Sequence, residues 1–194
     1  MKRQRRCDGT WLWVVAALLL MAAMADACRN EAPASMPRRQ AFPRINLYDT
    51  AYVAVEGLAV HVEANASAPV SVKQGKGFDI NYPRYGAVVY CSVTQVPDSA
   101  SALRVTANRT ERMALNVGDL PARRTQWHTA NGFAVRMLEA DGATQTPLQF
   151  VARGADCVVS GAMFFGRAVS SADSVRPMVE AVRRDMIHML NAMR

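Results

Sequence analysis

The sequence predicts an α+β fold. It reads as a single domain with a mostly antiparallel sheet of about five to six strands, packed with two main helices that include a C-terminal helix. Three observations carry this. Runs rich in β-branched residues recur between Tyr52 and Val96. Three strand-like runs separated by turn residues fill Gly132 to Phe165. Apolar residues then fall at helical spacing from Val175 to Leu190.

The first 27 residues stand apart from this domain. Lys2, Arg3, Arg5 and Arg6 give a basic start, and Trp11 to Ala25 is an uncharged run of 15 residues. That is short of the roughly 20 residues a membrane-spanning helix needs. Small residues follow, and basic, apolar, then small is the layout of a secretory leader. Residues 1–27 are therefore expected to be a signal peptide. Ala25-Asp26-Ala27-Cys28 resembles a bacterial lipobox, with Asp26 departing from its usual small or apolar residue. On that resemblance Cys28 is the lipidation site; an ordinary cleaved leader is the alternative. Residues 28–43, with Pro33, Pro37 and Pro43, read as a flexible stalk, and residues 44–194 as the single α+β domain. Nineteen of the 23 basic and fourteen of the 16 acidic residues stay in the chain past residue 27, about +5 net. These charges are dispersed, without a basic stripe interleaved with aromatics, so nucleic acid is not an expected partner.

Tyr52 to Glu63 reads as one or two short strands, Ala64 to Lys76 as loop, and Phe78 to Tyr82 as a short aromatic piece. Ala87 to Val96 is a strand whose apolar run suggests burial on both faces. Asp98-Ser99 caps a helix that runs to about Asn116, with Leu103, Ala107, Ala114 and Val117 on one face. Gly132 to Ala140, Pro147 to Arg153 and Cys157 to Phe165 form a meander, Asp141-Gly142 signalling its first hairpin. In the last helix Val175, Met178, Val179, Val182, Met186 and Leu190 share a face, and Pro177 is placed in its first turn.

Little in this chain carries chemistry. No zinc-type Cys/His spacing, nucleophile elbow, phosphate loop or dinucleotide glycine pattern occurs, so no metal, no cofactor and no catalytic residues are expected. Asp185 and His188 lie three apart on one helical face, as a base and its orienting group would, and as a surface hydrogen bond would. Cys91 and Cys157 either pair in an oxidising compartment or stay as buried thiols. Two segments concentrate arginine, aromatic and proline residues, types favoured at interfaces. They offer Arg38, Phe42, Arg44, Tyr82, Pro83, Arg84 and Tyr85 as partner-binding candidates; a rigid turn with stacked rings is the alternative for the second. Trp127 with Tyr82 and Tyr85 could instead line a pocket for glycan or peptide.

The same segments resemble the gliding-motility lipoprotein D (GldD) family of the Bacteroidetes. The shared pieces are Pro37-Arg38-Arg39 through Phe42-Pro43-Arg44-Ile45, Tyr82-Pro83-Arg84-Tyr85-Gly86-Ala87, Gln149-Phe150-Val151, Gly161-Ala162-Met163-Phe164-Phe165, Asp173-Ser174-Val175-Arg176-Pro177 and Arg184-Asp185-Met186-Ile187-His188. The resemblance implies a non-catalytic envelope lipoprotein, membrane-anchored and facing the periplasm. It would support the assembly or stability of the gliding and type IX secretion machinery, with other envelope proteins as partners. Thr50, Ser99 and Ser174 follow aspartates and precede apolar residues, which resembles that phylum's O-glycosylation acceptor.

Overall fold

The computed structural model describes residues 47–74 and 76–194. Nine strands and two long helices follow in the order β1 (Tyr52–Ala54), β2 (Glu63–Asn65), β3 (Val70–Val72), β4 (Gly77–Tyr82), β5 (Ala87–Gln95), α1 (Ser99–Val117), β6 (Ala122–His128), β7 (Ala134–Ala140), β8 (Leu148–Arg153), β9 (Cys157–Phe165) and α2 (Ala172–Ala192). A seven-stranded antiparallel sheet runs β3-β4-β5-β9-β8-β7-β6, and β1 pairs with β2 apart from it. The expected α+β class holds. The strands number more than expected because β3 and β6 lie in stretches read as loop or left unassigned.

Alternation along the strands sorts side chains onto two faces. Phe78, Val89, Phe150, Met163 and Phe165, each fully buried, point to one face, where α2 lays Val182, Met186, Met189 and Leu190. Each such side chain contributes about 1.5–3 kcal/mol relative to exposure. Val151, Val158 and Leu138 point to the other face, under Ala102, Met113 and Val117 of α1. The core thus has two layers, one on each side of the sheet.

β5 corrects the expectation of burial on both faces. Ala87, Val89, Cys91 and Val93 are buried, whereas Tyr90 on the opposite face is 47 % exposed. The cause is that α1 lies chiefly over β8 and β9. Val117 faces the sheet as expected, but the rest of α1 is turned by one position: Ala102, Thr106 and Met113 face the sheet, and Leu103 is exposed. Its cap is as expected, Asp98 accepting from the Ser101 N–H at 2.7 Å. The link between β7 and β8 spans residues 141–147, longer than the tight hairpin that Asp141-Gly142 suggested. Its backbone is engaged elsewhere, Asp141 N–H donating to the Pro121 carbonyl and Gln145 carbonyl accepting from Phe165. α2 starts at Ala172, so Pro177 sits past the first turn and leaves the Asp173 carbonyl without its helical donor. Among the described residues no helix is long and apolar enough to cross a membrane.

Candidate functional site

The turn that leads into β5 is built to bury rings. Pro83–Tyr85 is a single 3-10 turn, closed by Gly86 at φ +61°, a left-handed value glycine adopts at little cost. The turn folds Tyr82 and Tyr85 inward, parallel and 6.1 Å apart, and Tyr48 meets both edge-on at 5.4 and 5.1 Å. The Arg84 guanidinium covers the outer side of Tyr48 at 5.0 Å.

Behind these rings lies Asp185 of α2. Tyr52 Oη donates to its Oδ1 at 3.0 Å, and Asn65 Nδ2 and Tyr82 Oη each donate to Oδ2 at 3.2 Å. The donors sit on β1, β2 and β4, so one carboxylate ties α2 to three strands. Asn65 also donates to the Asp49 carbonyl and accepts from the Ser67 N–H. Burial pushes the Asp185 carboxyl above its ordinary value, opposed by the hydrogen bonds it accepts. Burial likewise raises Tyr52 to about 12 and Tyr82 further, with the Asp185 charge adding to both.

His188 faces a different carboxylate. Its Nε2 lies 2.9 Å from Glu63 Oε2, and its ring stacks on Tyr52 at 3.6 Å. His61 Nε2 reaches the other oxygen of Glu63 at 3.5 Å. His188 first, then His61, holds Glu63 below its ordinary value. Asp185 and His188 therefore have different hydrogen-bond partners, although both touch Tyr52, and do not form a base and its orienting group.

The candidates from the sequence fare unevenly. Tyr82 and Tyr85 are 1 % and 3 % exposed, a correction to their place on a partner surface: their rings pack the core and cannot reach a partner. Pro83 and Arg84 are exposed. Trp127 lies on β6, its Nε1 donating to Asn191 Oδ1 at 2.9 Å, and it lines a cavity with Thr125, Met137, Arg183, Ile187 and Asn191, whereas Tyr82 and Tyr85 are buried in the core. The disulfide is also corrected. Cys91 and Cys157 are free, buried thiols. In the β5–β9 register Cys91 faces Gly161 and Cys157 faces Gln95, four residues along, about 13 Å. A disulfide bridges at most about 7 Å between Cα atoms. Burial raises the Cys91 thiol strongly and Cys157 to about 11. Thr50, Ser99 and Ser174 are exposed, Ser174 Oγ donating to the Ser171 carbonyl. Cys28, Arg38, Phe42 and Arg44 lie outside the described residues.

Sequence reasoning missed Tyr52, Glu63 and Asn65. They stand 133, 125 and 120 residues from their partners on α2, and no local pattern marks such pairs.

Comparison with curated proteins finds no match, and comparison with solved structures finds none. One protein-family model, described as "Gliding motility lipoprotein GldD", matches residues 32–194, beginning past Cys28 and covering every element of the hub. The chain therefore belongs to the gliding motility lipoprotein GldD family.

Proposed function

We propose that this chain is a lipid-anchored protein of the cell envelope, facing the periplasm, that supports the assembly or stability of the gliding motility and type IX secretion machinery without catalysis of its own. The family assignment supports the setting. The observation that carries the non-catalytic part is how the titratable groups are engaged. Both oxygens of Asp185 take hydrogen bonds from neutral donors, and both oxygens of Glu63 face imidazoles. Such a cluster clasps chain segments together. A general base needs a free lone pair aimed at a substrate.

In this reading Cys28 carries the lipid, and residues 28–43 span from the membrane to the body. On the body the partner surface is the exposed Pro83-Arg84 edge of the turn, and Arg38, Phe42 and Arg44 stand as separate partner-binding candidates. The test is crosslinking in living cells from a photoreactive amino acid in place of Arg84, with mass spectrometry of what is captured. Motility or secretion components are the expected catch. Capture of none of them, from a protein that remains folded, overturns the assembly role.

A further inference from the structure

On the sheet's other face, away from the Asp185 hub, α1 leaves β4 and β5 uncovered, and a trough runs between them. One cavity in it is about 460 Å³, and a second of about 570 Å³, sharing Arg109 and Arg112, lies past the Thr94 end of β5. The helix wall carries Arg104, Arg109 and Arg112. Arg104 and Asn116 are twelve residue steps apart on α1, so that wall is about 18 Å long. Among the described residues no carboxylate pairs with Arg109 or Arg112.

The floor differs in kind. It presents the hydroxyls of Ser92 and Ser160 and the half-exposed ring of Tyr90. The far wall is Lys73 and Asp79. Lys73 Nζ bonds Asp79 Oδ2 at 2.6 Å and lies 5.4 Å over the Tyr90 ring, although its side chain is 60 % exposed. Asp79 Oδ1 is buried and accepts no hydrogen bond. A bare buried acceptor costs free energy until a donor reaches it.

We propose that this trough binds an acidic oligosaccharide, of the uronic-acid class. Each wall selects for one property of such a ligand. The arginines take its carboxylates, in bidentate geometry where the fork allows. Tyr90 offers a flat face to a sugar ring once Lys73 swings aside. The same movement opens Asp79, whose Oδ1 then accepts from a sugar hydroxyl. An inorganic polyphosphate lacks those hydroxyl donors, which is why a saccharide is favoured over it. This inference does not rest on the assembly role, and either can fail alone.

The purified full chain is titrated calorimetrically with a mannuronate hexamer, a neutral cello-hexamer and a hexaglutamate peptide. The mannuronate hexamer is expected to bind, and to lose about tenfold in affinity in Arg112→Gln and again in Tyr90→Ala. Asp79→Ala, which removes the acceptor, is expected to weaken the sugar and to leave the peptide unchanged or tighter. Both Arg112 and Tyr90 are surface groups, so unchanged melting of these variants shows that the fold is intact. The proposal is overturned by no binding, by equal binding of the cello-hexamer or hexaglutamate, or by variants that bind as the parent does.

Discussion

Replacing Asp185 by alanine removes the common acceptor of Tyr52, Asn65 and Tyr82, and two of those donors are 1–2 % exposed. Each buried donor left bare costs about 1–3 kcal/mol. Asp185→Ala is therefore expected to lose about 3 kcal/mol or more in urea unfolding. Asp185→Asn keeps one acceptor oxygen and removes the buried charge, so it should lose clearly less; equal losses would mean that volume, not hydrogen bonding, is what matters there. The tyrosines set a second expectation. A tyrosine whose folded value is raised holds its proton after the unfolded chain has released it near pH 10. Stability from Tyr52 and Tyr82 is thus complete below pH 10 and falls as pH rises through the window toward 12. Tyr82→Phe should make that alkaline decline shallower, by about half if the two rings share it. On the acid side the signs oppose. Glu63, held low by its imidazoles, favours the fold above its unfolded value and loses that as pH falls; Asp185, held high, disfavours it above its own unfolded value. The alkaline limb is the cleaner measurement.

Elements with strong periodicity were legible, and those whose placement depends on distant partners were not. α2 shows one wide apolar stripe, and its face followed directly from Val175 to Leu190. α1 packs through Ala102 and Thr106, small or polar residues that hydropathy does not flag, so the larger Leu103 misled its phase. β6, an edge strand reading Ala-Arg-Arg-Thr-Gln-Trp-His, is exposed along most of its length and carries no alternation to find. Of the candidate site, the turn around Tyr82 and the Asp185-His188 pair were visible as odd, but their meeting was not. Gly161 shows the same limit within one strand. Its local sequence names no neighbour, and the structure does: a Cβ there would stand 2.6 Å from Phe150 Cε1 and 2.9 Å from Cys91 Sγ. Gly161→Ala should cost about 1–3 kcal/mol through overpacking. Combining it with Cys91→Ala should cost less than the two single effects added, since both touch the same space. Strict additivity in the unfolding free energies would show that the strand shifts to make room.

At the scale of the whole molecule, the hub joins two segments far apart in sequence. Tyr48 and Tyr52, near the start of the described chain, rest on β4 and α2. The residues just past α2 are fixed as well: His61 N–H donates to the Arg194 carbonyl, and Asn131 Nδ2 to that of Met193, both at 2.9 Å. A load arriving through the proposed tether would therefore enter at Tyr48 and Tyr52 and pass to α2 and the main sheet. β1 and β2 have three residues each, too little to stand as a pair without that support. Asp185→Asn should then speed amide exchange across β1 and β2 by about tenfold, the effect of about one lost hydrogen bond, while β5, β8 and β9 keep their protection. Local opening of this kind is what a clasp on the tether side requires. If exchange instead rises evenly through the sheet, Asp185 is one more core residue and not a clasp on β1 and β2.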